Sequence, residues 1–288
     1  MPQLVQIIFS WDRPLQLWGL VKSLLDNTDL KPKQIRVLCK CSNAKYQKAY
    51  QTVNKELGCQ IVYQNNRPLW NMIQEQIQGN EYVSFAVDGM MFFRKASYSE
   101  VIKIMQKEPE ICIWSWCLGP DLQPSNKLIL HAGYWTAPHA TAGMPFSYIF
   151  HENGSLFRKN DFEYWIHLLP KQHRIKFNLN LIESYLVKLP KSVRRSLGRL
   201  HAGPLVQASV AWRVNKVVGP SYGSPYYATN QTKPEYLMKI FERGGRLDYS
   251  PLYGRTDWLQ NLDANWPHFA FVSHSKEAAN FFTKLIKI

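Results

Sequence analysis

The stretch EYVSFAVDGMMFFR (81–94) joins two apolar runs through an Asp-Gly pair. Its first run, YVSFAV (82–87), is rich in aromatic and β-branched residues, which is typical of a buried strand. Asp88 follows directly and places a carboxylate at the end of that strand. Two interpretations are open. Asp88 is either a ligand-binding acid at the end of a parallel strand or a turn residue, because Asp-Gly between apolar runs is a common hairpin signal.

Runs of the same kind precede and follow this stretch: LVQIIF (4–9), QIRVLC (34–39), CQIVYQ (59–64) and ICIWSW (111–116). Helix signals separate them. Pro14 begins an amphipathic segment, Ser42 is a candidate cap for a second helix, and 69–78 and 97–107 predict two more. This alternation predicts an α/β fold with a mostly parallel sheet flanked by helices.

Polar residues cluster where the first two predicted strands end. Ser10, Asp12 and Arg13 follow the first strand, and Lys40 follows the second. Parallel sheets bind ligands at the carboxyl ends of their strands, so these side chains and Asp88 suit a nucleotide pocket. Other readings are open: Asp12 as the cap of the helix near Pro14, and Arg13 and Lys40 as surface charges. Neither glycine-rich nucleotide fingerprint occurs, which argues against P-loop and dinucleotide-binding enzymes.

Six segments carry a resemblance to a known family. FSWDRPLQLWGLVKSL (9–24), VLCKCSNAKYQKAY (37–50) and YVSFAVDGMMFFR (82–94) resemble, in that order, the N-terminal half of GT-A-type nucleotide-sugar glycosyltransferases of a bacterial kind. The acceptor-side half of such proteins is similar to PFSYIFHENGSLFRKND (145–161), FNLNLIES (177–184) and VNKVVGPSYG (214–223). The resemblance implies a Rossmann-like donor half (1–118) and an acceptor-side half (119–288) in one globular unit.

The resemblance also implies a reaction. A hexosyltransferase of this type moves a sugar from a nucleotide-diphosphate donor, most often UDP-linked, to a hydroxyl of a glycan or glycolipid during polysaccharide assembly, and inversion is expected. The donor contacts it implies are Ser10, Asp12, Arg13, Lys40, Arg67 and Asp88. As catalytic base it points to Asp161, at the start of DFEYWIHLL, or Glu152 in the turn HENG. Asp161 can equally be an acid that complements a helix dipole.

Metal use is open at the sequence level. The family's strand-end motif is Asp-x-Asp or a variant, but this chain has Asp88-Gly89-Met90 and keeps only the first acid. One carboxylate is a poor Mn²⁺ or Mg²⁺ site, because these ions need several oxygen ligands. Asp88 is therefore a doubtful metal ligand. Arg13, Lys40, Arg67 and Arg94 are alternative sources of positive charge for a leaving diphosphate.

The net charge of +14 predicts an anionic partner. The second half carries most of it, and 186–200 and 276–288 are basic amphipathic segments suited to an anionic membrane surface. The same segments can instead pack on their own domain. Nucleic acid is a less favoured partner, because no recognition motif is present. A catalytically degenerate relative that binds nucleotide or glycan is a further alternative, given the missing second acid.

Cysteine usage and hydropathy bear on localisation. The five cysteines are odd in number and show no zinc-ligand spacing: Cys39, Cys41, Cys59, Cys112 and Cys117. No stretch approaches about 18 consecutive apolar residues, and no export signal is recognisable. The sequence predicts a reduced, cytoplasmic protein that can lie at the inner face of a membrane.

Overall fold

The computed structural model describes residues 3–92, 94–116, 129–138, 154–170, 200–204, 209–210, 234–247 and 271–273. The helices in this part of the chain are α1 (Pro14–Asn27), α2 (Ala44–Leu57), α3 (Leu69–Ile77), α4 (Tyr98–Lys107), α5 (Lys159–His167) and α6 (Pro234–Glu242). The strands are β1 (Leu4–Trp11), β2 (Ile35–Lys40), β3 (Gln60–Tyr63), β4 (Tyr82–Val87), β5 (Met91–Phe92), β6 (Ile111–Ser115), β7 (Ile129–Leu130), β8 (Tyr134–Pro138), β9 (Ser155–Arg158), β10 (Leu200–Pro204), β11 (Ser209–Val210), β12 (Gly245–Leu247) and β13 (Phe271–Ser273).

Nine of these strands form one sheet in the order β3-β2-β1-β4-β9-β6-β10-β8-β7. The strands β3, β2, β1 and β4 are parallel, and β6 is parallel to β10. Between β4 and β6 lies β9, antiparallel to both. The prediction of an α/β fold with a mostly parallel sheet and flanking helices is confirmed.

Each face of the sheet carries its own apolar core. On one face, α1, α2, α4 and α6 pack against alternate strand residues such as Ile8 and Ala86. On the other, α3 and α5 pack against Ile7 and Phe85, and the rings of Phe85 and Phe162 lie 4.8 Å apart. Strands buried on both faces explain why the sequence shows near-continuous apolar runs instead of alternation.

Two local expectations are wrong. The hairpin interpretation of Asp-Gly fails because β5 pairs with β11, away from β4, after a tight turn in which Met90 N–H donates to Val87 O at 3.0 Å. The second helix is capped by Asn43 instead of Ser42. The Asn43 side chain accepts hydrogen bonds from the N–H groups of Lys45 and Tyr46 at 3.0 and 3.3 Å.

Strands from both predicted halves share the main sheet. β9 comes from beyond residue 118 but lies between β4 and β6, which precede it. A boundary near residue 118 therefore does not separate two sheets. The division of donor and acceptor roles between the halves stays a prediction.

Candidate functional site

The strand order creates a crevice at the carboxyl edge of the sheet. From β1 the chain moves outward to β2 and β3 and then returns to β4 on the other side of β1. In open α/β sheets such a reversal is where ligands bind, because the loops on either side diverge. The register pairs Phe9 with Val87, so Ser10 of β1 lies beside Asp88 where β4 ends.

Asp88 is buried at this point and holds a compact set of contacts. Its Oδ2 accepts hydrogen bonds from the Ser10 hydroxyl at 2.8 Å and from the Trp11 N–H at 3.3 Å. The Arg13 guanidinium lies 3.8 Å from Oδ1. Tyr50 completes the set, because its hydroxyl lies 2.5 Å from the Ser10 Oγ and accepts the Arg13 N–H at 3.1 Å.

The protonation state of Tyr50 follows from its surroundings. Burial, together with the charge of Asp88, holds the pKa of the Tyr50 phenol well above its ordinary value. The hydroxyl therefore stays protonated at neutral pH and can donate to Ser10, which leaves the Ser10 hydroxyl to donate to Asp88.

Asp12 joins the ends of β1 and β2. Its Oδ1 accepts the Ser42 N–H at 2.9 Å, and its Oδ2 accepts the Ser42 hydroxyl. The Asp12 backbone has a φ of 55°, in the left-handed region that Asp tolerates better than most residues. The alternative role as cap of α1 is wrong, because Arg13 occupies the cap position and makes no side-chain cap bond. We call this contact the Asp12–Ser42 bridge.

A cation and an exposed ring lie at the same edge. The Lys40 ammonium lies 4.3 Å from the centroid of the Trp11 ring, and Trp11 is 57% exposed. Arg67 follows β3 but is exposed, and its Nη1 donates to both carboxylate oxygens of Glu75 in α3, at 3.0 and 3.1 Å. Lys40 therefore lies at the strand ends beside the Trp11 ring, whereas the Arg67 guanidinium pairs with Glu75 of α3.

A cleft of about 440 Å³ opens where β2 and β3 end, beside the start of α2. Its lining is rich in amide side chains and includes both thiols of the β2 end: Cys39, Lys40, Cys41, Asn43, Ala44, Gln47, Tyr63, Gln64, Asn65 and Asn66. Asn65 and Asn66 both have positive φ, at 42° and 62°. Consecutive left-handed residues turn the chain sharply after β3 and give the cleft its far wall.

Sequence reasoning missed Gln16, in the first turn of α1. It is 1% exposed, and neither its amide nitrogen nor its oxygen has a hydrogen-bond partner among the described residues. A Cβ on Gly19, one turn later, would lie 2.9 Å from the Met91 Cε, and Ser23 accepts the Phe92 N–H at 3.0 Å. Gln16 lies one turn nearer to the start of α1 than Gly19. The sequence does not show that this amide is buried; it is found only when the buried polar groups of the structure are counted.

Asp161 lies at the opposite edge of the sheet. Because β9 runs antiparallel, Arg158 pairs with Tyr82 at the start of β4, and α5 begins there. Asp161 contacts Arg158 at 3.4 Å at that amino edge. The expectation that Asp161 faces the ligand edge is wrong, for a reason that only strand direction reveals. Glu152 lies outside the described residues.

The carboxylates at the carboxyl edge are engaged by neighbouring side chains. Both oxygens of Asp12 accept hydrogen bonds from Ser42, and Asp88 lies beside Arg13. Within the ranges described, no group of three or more His, Cys, Asp or Glu side chains is arranged to hold a metal ion. A Mn²⁺ or Mg²⁺ ion at this edge would therefore take most of its six oxygen ligands from water and from the phosphates of a ligand.

Several predicted features lie outside the described residues. They include the basic segments 186–200 and 276–288, apart from Leu200 at the end of the first one. Among the helices that are described, none combines the length and the apolar character needed to cross a membrane.

No protein-family profile matches the chain, and no curated protein matches it in sequence. Solved structures do match. A mannosyltransferase from Pyrobaculum calidifontis, in complex with GDP-Man and Mn²⁺, is 12% identical over 57% of this chain and 46% of its own, with a TM-score of 0.41. S. aureus TarS 1-349 in complex with UDP is 12% identical over 72% of this chain and 59% of its own, with a TM-score of 0.44.

A nucleotidyltransferase matches as well. A cytidylyltransferase from Leptospira borgpetersenii is 8% identical over 65% of this chain and 74% of its own, with a TM-score of 0.40. The chain spans about half the length of the mannosyltransferase and of TarS 1-349, and about a third of TarS. It is thus similar in part to sugar-transferring and nucleotide-transferring enzymes.

Proposed function

We propose that this chain is a GT-A-like glycosyltransferase that binds a nucleotide-diphosphate sugar between the carboxyl ends of β1 and β4. The observation that carries the proposal is the buried Asp88, hydrogen-bonded to Ser10 and to the Trp11 N–H beside the Arg13 guanidinium. This set stands at the strand-order reversal and next to a cleft of about 440 Å³. A carboxylate beside a cation suits a ligand with hydroxyls and phosphates.

The proposed roles follow the chemistry along the edge. The amide-rich cleft after β2 and β3 takes the base, since amides can donate to and accept from its polar edge. Asp88 accepts the ribose hydroxyls. Arg13 and Lys40 neutralise the diphosphate, and the Gln16 amide adds a contact where the family's second acid is absent.

The chemical step proposed is displacement at the anomeric carbon of the sugar. An acceptor hydroxyl attacks that carbon, its proton passes to a base, and the bond to the diphosphate breaks. Negative charge develops on the leaving diphosphate, where Arg13 and Lys40 stabilise it without a protein-held metal. Glu152 is the remaining candidate base and UDP the first donor to test. A glycan or lipid-linked acceptor at an anionic membrane remains the proposed partner.

Calorimetric titration tests the donor site. UDP, GDP, CDP and their sugars are titrated with and without Mn²⁺ into the wild type and Asp88→Asn, which keeps the shape of the side chain and removes its charge. Asp26→Asn is the matched control, because Asp26 is an exposed carboxylate on α1 paired with Lys22 at 2.5 Å. We expect one nucleotide to bind, with affinity about 30-fold weaker in Asp88→Asn.

Each part of this titration has an outcome that would contradict the proposal. No binding by any nucleotide, or equal affinity in Asp88→Asn and Asp26→Asn, would remove Asp88 from the site. Affinity that depends on Mn²⁺ by more than about tenfold would show that the diphosphate brings its own cation, against the role given to Arg13 and Lys40. Binding with no transfer to any acceptor would favour the degenerate relative.

A further inference from the structure

The cleft wall contains two neighbouring thiols that the proposed donor chemistry does not use. Cys39 is buried near the end of β2, and the half-buried Cys41 follows two residues later. Side chains two apart on an extended chain point to the same side, and both cysteines line the cleft. A third cysteine, Cys59, is buried in the core behind them and lines no part of that cleft.

The two thiols influence each other's pKa. The neighbouring Cys39 thiol lowers the pKa of the Cys41 thiol, against the effects of burial and of Asp12. The Cys41 thiol, together with burial, raises the pKa of Cys39. Cys41 is thus the accessible nucleophile of the pair, and Cys39 is its buried neighbour.

The pair is coupled to the strand ends by the chain itself. Ser42 follows Cys41 directly and donates both its N–H and its hydroxyl to Asp12. Asp12 in turn donates its own N–H to Lys40 O at 3.3 Å, between the two cysteines. A covalent bond between Cys39 and Cys41 would draw Cys41 toward β2 and displace Ser42 from the Asp12–Ser42 bridge.

We propose that Cys39 and Cys41 are a thiol modification site, which a low-molecular-weight disulfide such as oxidised glutathione converts to an intrachain disulfide. The Cys41 thiolate attacks the disulfide, forms a mixed disulfide and releases one glutathione thiolate. The Cys39 sulfur then attacks the Cys41 sulfur, and its proton goes to the second glutathione as that leaves. Two protein thiols are oxidised and one glutathione disulfide is reduced to two thiols.

The second step becomes easier once the first has occurred. The Cys41 thiol, as a neighbour and through its charge, helps to hold the pKa of Cys39 high. Both effects disappear when Cys41 is in a mixed disulfide. A consequence for the donor rests on the proposed function: oxidation distorts the cleft wall and weakens nucleotide binding, and bound nucleotide slows oxidation.

The sequence offers a direct assay. Trypsin cleaves after Arg36, Lys40 and Lys45, so the two cysteines fall on separate peptides, VLCK and CSNAK. The reduced full-length protein is incubated with oxidised glutathione, its remaining thiols are alkylated, and the digest is analysed by mass spectrometry. We expect a VLCK–CSNAK pair two hydrogens lighter than the sum of its peptides, in the wild type and in the control Cys59→Ser.

Two cysteine variants separate formation of the mixed disulfide from closure of the intrachain disulfide. Cys39→Ser should stop at glutathione on CSNAK, and Cys41→Ser should yield no linked pair. The proposal is overturned if wild-type protein treated with oxidised glutathione shows no linked pair of peptides while its unfolding temperature is unchanged.

Calorimetry on reduced, oxidised and re-reduced protein then tests the consequence for the donor site. We expect a loss of about tenfold in nucleotide affinity on oxidation. Unchanged affinity overturns the coupling alone, and nucleotides that fail to bind even the reduced protein overturn the proposed function, which leaves the peptide result intact.

Discussion

Two Asp–Arg pairs, each with a buried carboxylate, lie at opposite edges of the same sheet, and they differ in what surrounds the arginine. At the amino edge, Arg158 contacts Asp161 at 3.4 Å and also donates to backbone carbonyls of Met105, Glu108, Pro109 and Ile111. At the carboxyl edge, the Arg13 guanidinium lies 3.8 Å from Asp88, beyond hydrogen-bond length, at the reversal of strand order.

Under the proposed function, the difference separates a structural pair from a binding pair. Arg158 satisfies carbonyls at the end of α4 and at the start of β6, where the helix leaves acceptors without intrahelical donors. Arg13 lies at the reversal of strand order, where open α/β sheets bind ligands. The same two residue types therefore stabilise the fold at one edge and belong to the proposed site at the other.

The largest expected effect is on stability, from Arg158→Ala. Removing the guanidinium leaves several buried carbonyls and a buried carboxylate without their donor, so we expect a loss of roughly 3 kcal/mol in the free energy of unfolding. Urea unfolding followed by circular dichroism measures it. The fraction that stays folded should bind nucleotide with wild-type affinity. A loss under about 1 kcal/mol, or weakened binding, would break the comparison.

Arg13→Gln should show the reverse pattern. We expect nucleotide affinity to fall about tenfold because one charge near the diphosphate is lost, whereas the unfolding free energy changes by less than about 1 kcal/mol. Calorimetry and urea unfolding give the two values. Lys22→Gln removes the same charge from an exposed ion pair on α1 and is the control. Equal affinity in the two variants would remove Arg13 from the site.

The strands could largely be predicted from local sequence, but the direction of β9, which decides the edge on which Asp161 lies, could not. The runs 4–9, 34–39 and 82–87 predict strands closely, because buried parallel strands need continuous apolar residues. The run SLFR (155–158) is too short to show that β9 enters the sheet between β4 and β6 in the opposite direction. That direction decides the edge on which Asp161 lies.

In the candidate site, too, some residues could be predicted from the sequence and others could not. Strand ends are local, so Ser10, Asp12 and Asp88 could be proposed from the sequence. Tyr50 could not, because it lies on the buried face of α2 and its hydroxyl reaches Ser10 only through tertiary packing. Gln16 was hidden for another reason, since a glutamine among apolar helix residues gives no sign of burial until the helix is packed.

The variant Gln16→Leu tests whether the buried Gln16 amide binds a ligand or stabilises the fold. If the buried amide serves only a ligand, an apolar side chain of similar size should raise the unfolding free energy by about 1 kcal/mol, because it removes an unpartnered polar group. Nucleotide affinity should fall a few-fold at the same time. Thermal unfolding and calorimetry measure the two changes. Gln51→Leu, at an exposed position on α2, should change neither. Lower stability with unchanged affinity would make Gln16 structural.

The smallest effect concerns a carboxylate with a structural role, Asp29, which lies just beyond the end of α1. It accepts hydrogen bonds from the N–H groups of Tyr98 and Ser99 at 2.8 and 2.9 Å, and from the Ser97 hydroxyl, at the start of α4. Burial alone would raise the pKa of Asp29, but these hydrogen bonds outweigh it and lower the pKa below 3.8.

The sign of the pH dependence follows from that shift. Because the folded state binds the Asp29 proton less tightly than the unfolded state does, its contribution is present above about pH 3.9 and is lost as the pH falls through the lowered pKa. Asp29→Asn should cost about 0.5 kcal/mol at pH 7, and the gap from wild type should narrow as the pH falls through the lowered pKa. Urea midpoints at pH 7, 4.5 and 3 measure it. A gap as large at pH 3 as at pH 7 would mean that shape, instead of charge, makes this carboxylate stabilising.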